Sequence, residues 1–157
     1  MPVMNGSNKH YGFSLVEVLI AMVIMSVGML GIAGLYVQSL QAGRTSMFRH
    51  QAVSLAGDVA DRIRANPSAG IAYAGIGANN NCVAANIDCD MVGMAANDIW
   101  VWDMQAVNSL PNGDVVVAFD DTVAPPIYTI TVSWNEPGMT AVSTPPSYGI
   151  SIPVNPF

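Results

Sequence analysis

Residues Phe13 to Val37 read FSLVEVLIAMVIMSVGMLGIAGLYV, with Glu17 as their only charge. The run is apolar on every side of a helix, which suits a buried or membrane-spanning segment rather than a surface one. A bilayer core takes about 20 apolar residues, and the charge-free stretch Val18 to Val37 is long enough. A carboxylate at the edge of such a span is costly, and ionisable residues there are functional candidates by default. The polar residues 1–12 (MPVMNGSNKHYG) precede the run, lack periodicity and read as a leader or tail.

Beyond the run the pattern changes. Phe48, Ala52, Leu55, Ala56, Val59 and Ile63 fall on one helical stripe. Arg49, Asp58, Asp61, Arg62 and Arg64 fall on the opposite face, with Asp58 and Arg62 spaced for an i,i+4 pair. Asn66-Pro67 ends the helix, because the residue before proline avoids the α region. One helix is therefore expected from Phe13 to about Asn66, a rod of roughly 75–80 Å at 1.5 Å per residue. Gly28, Gly31 and Gly34 interrupt its apolar half. They suggest a soft or closely packed stretch, although glycine is also simply common in membrane helices, and their spacing is not the G-x-x-x-G dimer motif.

Residues 67–97 read as a loop rich in Gly, Ala and Asn, of a length that is uncommon unless functional or mobile. A short helix is expected from Asn97 to Leu110, capped by Asn97 or Asp98. Pro111-Asn112-Gly113 and Asn135-Glu136-Pro137-Gly138 are turn signals. Strands are expected at Asp114–Phe119, Ile127–Trp134 and Tyr148–Val154, the last an edge strand because of Pro153. Alternation predicts that Tyr128, Ile130, Val132 and Trp134 face the core. The fold class is α+β, a long helix whose stripe is laid on a small antiparallel sheet.

Composition narrows the function. Only 10% of residues are charged, against ~25% in an average soluble domain. The basic residues are Lys9, Arg44, Arg49, Arg62 and Arg64; beyond Arg64 there are eight acids and no cation. Such a region cannot neutralise phosphates, so nucleic-acid binding is not expected. No phosphate loop is present, and no lysine after Lys9 could form a Schiff base. A Ser-His-Asp arrangement would need His50, since His10 lies in the leader, and nothing else supports it. Asp88-Cys89-Asp90 and Asp120-Asp121 could contribute carboxylates to a calcium site, but they match no EF-hand spacing, and ordinary loop carboxylates are the simpler reading. No catalytic residue, metal ligand or cofactor is expected. Trp100 and Trp102 read as packing residues, with an interface role as the alternative. Cys82 and Cys89 are too few for a zinc site. They read as a disulfide if this region is outside the cytoplasm, and otherwise as two buried thiols.

The junction Gly12-Phe13-Ser14-Leu15-Val16-Glu17, directly before a membrane span, resembles the cleavage signal of type IV prepilins and pseudopilins. Met29–Leu35, Asp61–Pro67 and Tyr128–Trp134 are similar to stretches of the PilV type of minor pilin, the type IV pilus modification protein. The resemblance implies that a prepilin peptidase cuts between Gly12 and Phe13 and N-methylates Phe13, and that Glu17 is the assembly residue. It implies four parts: a cleaved leader at 1–12, a transmembrane and filament-core half-helix at 13–37, an amphipathic half-helix at 38–66 and a periplasmic domain at 67–157. The leader would be cytoplasmic and the remainder periplasmic, where a Cys82–Cys89 disulfide makes sense. This resolves a conflict, because Arg44 and Arg49 after the span outweigh Lys9 before it and charge alone leans towards the reverse orientation.

Glycines replace the proline common in the apolar half of major pilins, and the cysteines come earlier than the usual disulfide loop. Both differences favour a minor pilin. The implied function is a minor pilin in an inner-membrane complex that primes or caps type IV pilus assembly, supporting adhesion and twitching motility. The implied partners are other minor pilins, the major pilin, the prepilin peptidase, the inner-membrane assembly machinery and a tip adhesin. The membrane holds the chain before assembly, and the pilus tip is its later location. A minor pseudopilin of type II secretion and a tip binding module are the alternatives.

Overall fold

The computed structural model describes residues 12–83, 88–136 and 144–155. The leader residues 1–11, and Pro137-Gly138 of the second turn signal, lie outside them. The order is α1 (Leu15–Ala65), a 3-10 segment (Pro67–Ala74), α2 (Met91–Ser109), β1 (Asp114–Asp120), β2 (Ile127–Ser133) and β3 (Ser147–Pro153). The chain divides into two compact units between Gly43 and Arg44.

In the first unit α1 starts where the Ser14 carbonyl accepts the N–H groups of Glu17 at 3.0 Å and Val18 at 3.3 Å. Glu17 sits in the first turn, where the helix dipole favours a negative charge. Every residue from Gly12 to Gly43 is exposed.

In the second unit, α1 buries Ala52, Leu55, Ala56, Val59, Ala60 and Ile63, with Phe48 packed alongside. That is the predicted stripe plus Ala60. Pro67 stops the helix as expected, and Arg62 and Arg64 in the last turn suit the negative end of the dipole. The three strands form one antiparallel sheet in the order β1-β2-β3. Tyr128 stands opposite Phe119 on one side and Ile152 on the other. Tyr128, Ile130, Val132 and Trp134 are all buried, as alternation predicted, though Trp134 lies one residue past β2. Thr129 and Ser151 share a hydrogen bond at 3.1 Å on the outer face. Between α2 and β1 the turn needs Asn112 at φ 54° and a bare Gly113, because a Cβ there would collide with the Ala106 carbonyl.

Four expectations are corrected. The stretch 67–97 is not one loop: Pro67–Ala74 is helical and α2 begins at Met91. Its cap is Asp90, whose carboxylate accepts from Gly93 N–H at 2.6 Å. Asn97 and Asp98, predicted as caps, are interior helix residues only 3% and 4% exposed. Arg62 does not belong to the solvent face. Its guanidinium reaches Asp98 at 2.9 Å and Asp58 at 3.1 Å, because a long side chain can lay its stem along the surface and deliver its charge inward. Of the two tryptophans only Trp102 is a core residue, 1% exposed against 36% for Trp100.

The second unit closes around Asp98. Its carboxylate also accepts from the Tyr73 hydroxyl at 3.1 Å, while Tyr73 accepts from Asn66 Nδ2 at 3.3 Å. The same Asn66 amide donates to the Met91 carbonyl at 2.9 Å. The network joins the end of α1, the 3-10 segment and α2. Tyr73 stacks on Trp102 with ring centroids 5.6 Å apart and meets Tyr128 edge-on at 6.3 Å. Burial works against the Arg62 charge, yet Asp98 and Asp58 outweigh it and raise the pKa.

Burial raises the Tyr73 and Tyr128 hydroxyls above the ordinary tyrosine range. The folded state therefore prefers both in neutral form. The stability they confer is fully present below about pH 10 and is lost as pH rises through the raised values. The chain has no lysine after Lys9 and the disulfide cysteines do not titrate, so tyrosines dominate the alkaline response. The urea midpoint of the full-length protein in detergent is expected to fall as pH rises above about 10, and to fall less in Tyr73→Phe. Equal slopes would exclude Tyr73 as a source.

Candidate assembly site

The segment from Gly12 to Glu17 is the first part of the candidate site. Gly12 precedes α1, and a Cβ on it would touch nothing within 4 Å. Phe13 is 84% exposed. Both residues of the Gly12–Phe13 bond are therefore exposed. Glu17 is exposed one turn further on and has no cationic partner among the described residues. The residues that follow it form the span candidate, within a helix whose most apolar window is not buried at all. Gly28, Gly31 and Gly34 each have open space where a Cβ would stand. No contact among the described residues demands glycine there.

The second part is the disulfide region. Cys82 and Cys89 are bonded, with Cα atoms 5.7 Å apart. The bond closes a short loop immediately before α2. Asn80 Nδ2 donates to the Gly93 carbonyl at 2.9 Å, and Asn80 N–H donates to Asn97 Oδ1 at 3.2 Å. Ala78 N–H reaches the Ala96 carbonyl at 2.9 Å. Asn97 is thus a buried clamp for the loop, which explains its place inside the helix. Two of the carboxylates considered as loop acids have local uses. Asp90 caps α2, and Asp120 accepts from both Thr122 N–H and its hydroxyl. Those two bonds hold the Asp120 carboxyl below the usual carboxylate range. Among the described residues no group of three metal-ligating side chains comes together.

Residues 7–33 match the prokaryotic N-terminal methylation motif. Residues 34–100 match the family described as type IV pilin Tt1218. Together these matches support a type IV pilin. They run end to end from residue 7 to residue 100 and stop short of the sheet. No curated protein and no solved structure matches the chain. The long apolar N-terminal helix and the three-stranded antiparallel sheet are consistent with the type IV pilin fold. Type IV pilins are structural proteins, not enzymes, and the family implies contact with other pilins and with the pilus machinery. The methylation motif and the exposed apolar helix fit a membrane-anchored pilin. The PilV type is a finer assignment than these matches make.

The loop closed by Cys82 and Cys89 is short, so the chain-entropy estimate for its disulfide is about 2.5 kcal/mol. The double variant Cys82→Ser/Cys89→Ser is expected to lose stability of that order in a thermal melt of the oxidised protein. Loss of amide protection should be greatest at the first turn of α2.

Proposed function

We propose that this chain is a minor pilin that joins an inner-membrane minor-pilin complex and primes or caps type IV pilus assembly, in support of adhesion and twitching motility. The observation that carries the reading is the Gly12–Glu17 junction, exposed and directly ahead of the apolar run, whose residues as far as Gly43 are all exposed. Residues 1–12 are the leader, held on the cytoplasmic side and removed by a prepilin peptidase. Residues 13–37 span the bilayer and later enter the filament core. Residues 38–66 are the amphipathic half of the helix, and residues 67–157 form the periplasmic domain, where an oxidising environment suits the disulfide.

The chemistry of Glu17 gives the reading its mechanism. In lipid a lone carboxylate needs a cation, and the run holds none. Hydrolysis of the Gly12–Phe13 bond creates one, the ammonium of Phe13, which remains cationic when singly N-methylated. In a bundle, Glu17 of one subunit pairs with Phe13 of a neighbour. The pair draws the apolar helices from lipid into a packed core in which each is covered by others. The same account explains why a Cβ at Gly28, Gly31 or Gly34 would meet open space among the described residues: their close contacts are with other helices, which small residues allow to approach. The partners are the major pilin, the other minor pilins, the inner-membrane assembly machinery and a tip adhesin.

Co-expression with a prepilin peptidase, followed by intact mass measurement, tests the class. The expected product lacks residues 1–12 and carries one added methyl group on Phe13. A chain that keeps its leader would reduce the protein to a plain membrane anchor. Glu17→Ala is expected to be processed normally yet to be depleted at least tenfold in sheared filaments. Undiminished incorporation would remove Glu17 from the assembly role.

A further inference from the structure

The turn between α2 and β1 holds a chemically labile pair, Asn112-Gly113. Its backbone is tied at three points. Leu110 N–H donates to the Ala106 carbonyl at 2.9 Å, Gly113 N–H donates to the Leu110 carbonyl at 3.1 Å, and Asn135 N–H donates to the Pro111 carbonyl at 2.8 Å. Leu110 anchors the turn in the core, only 2% exposed. Proline in second place and a residue of positive φ in third are the pattern of a type II turn, and Asn112 has φ 54°. Glycine takes that conformation freely, and asparagine and aspartate take it at modest cost. The next position is narrower, because a Cβ on Gly113 would collide with the Ala106 carbonyl. The geometry of the turn therefore favours a pair such as asparagine followed by glycine.

That pair carries its own reaction. A glycine nitrogen has no neighbouring side chain to screen it, and it can close a five-membered ring on the side-chain carbonyl of a preceding asparagine. The Gly113 nitrogen would bond to Asn112 Cγ and give its proton to solvent, and ammonia would leave. Water then opens the ring at either carbonyl and leaves aspartate or isoaspartate at position 112. One water is consumed, one ammonia is released, and nothing is oxidised or reduced. In the closed turn the first step is held back. Gly113 is buried and its N–H is committed to Leu110, and the same bond fixes the backbone that would have to rotate.

Both products fit the turn poorly. Isoaspartate lengthens the main chain by one methylene between Leu110 and Gly113, whose hydrogen bond closes the turn. Either product also adds a carboxylate two residues from Asp114. Asp103 is already held above the ordinary carboxylate range by burial and by repulsion from Asp114, and no Lys or Arg follows Arg64 to offset a further charge.

We propose that Asn112 is a conditional modification site. It deamidates when the α2–β1 turn opens, and the product does not restore the turn, so a chain whose second unit has opened is marked irreversibly. The proposal concerns the second unit alone and is independent of the pilin reading.

The test incubates the full-length chain, disulfide intact, in mildly alkaline buffer and detergent, with and without concentrated urea. Peptide mass spectrometry follows the gain of one mass unit at Asn112, and an isoaspartyl methyltransferase labels the isoaspartate. The rate in urea is expected to exceed the native rate at least tenfold. Pro111→Gly loosens the turn without touching the reacting pair and should raise the native rate at least threefold. Returned to native buffer, chains deamidated at Asn112 should melt at a lower temperature than intact chains. Asn112→Gly, which keeps the positive φ and lacks the amide, should pass through the same treatment with its melting temperature unchanged. Equal rates with and without urea, a native rate indifferent to Pro111→Gly, unaltered melting of the deamidated chains, or an equal loss in Asn112→Gly would overturn the proposal.

Discussion

A helix that exposes apolar side chains on every face is stable only where water is excluded. From Leu15 to Gly43 this chain has such a helix, and every residue of that stretch is exposed. Burying one Val, Leu, Ile or Met side chain is worth roughly 1.5–3 kcal/mol, so the run as a whole represents tens of kcal/mol. A folded domain's net stability is about 5–15 kcal/mol. The surroundings of the first unit therefore outweigh anything the second can contribute, and both lipid and a bundle of like helices satisfy it. What distinguishes the two is Glu17. It is a liability in lipid and an asset in a bundle that brings a cation to it.

The second unit meets the opposite demand: it must satisfy itself. Its core is a single cluster drawn from α1, the 3-10 segment, α2 and the sheet. At the edge of that cluster Asp98 is the costly element. A buried carboxylate is tolerated only when paired and hydrogen-bonded, and Asp98 has both Arg62 and Tyr73. The pairing also specifies geometry. Arg62 can reach Asp98 only if α2 lies against the last turns of α1, and Tyr73 only if the 3-10 segment folds between them. The network then works less as a source of stability than as a constraint on where three elements meet.

Much of this was legible in the sequence, and the failures share a cause. The α1 stripe and the alternation of β2 are periodic over many residues, so their buried faces could be read directly. The Gly12–Glu17 junction could be read because its residue types and spacing are specific. The start of α2 could not. Gly93 lowers helix propensity, and Asn97 and Asp98 look like caps because such residues usually compete with the backbone. Here their side chains are engaged elsewhere, Asn97 by the Asn80 amide and Asp98 by Arg62 and Tyr73. Those partners lie between 17 and 36 residues away in the chain, beyond the reach of any local pattern. Arg62 was misplaced for the same reason. Trp100 and Trp102 show a finer limit: one helical face divides them, and a short window does not reveal which side faces the core.

Charge connects the two units' tasks. Apart from Lys9, every lysine and arginine lies on α1, between Arg44 and Arg64, whereas the region beyond carries only acids. Two of the four arginines are already committed to carboxylates of the second unit and its helix. Like distal domains therefore repel rather than attract. Homotypic packing of those domains is disfavoured by long-range electrostatics even though the N-terminal helices are free to associate. An assembly built from such a subunit reconciles the two if neighbours share the apolar helix but differ in the domain, with at least one neighbour offering the missing cations.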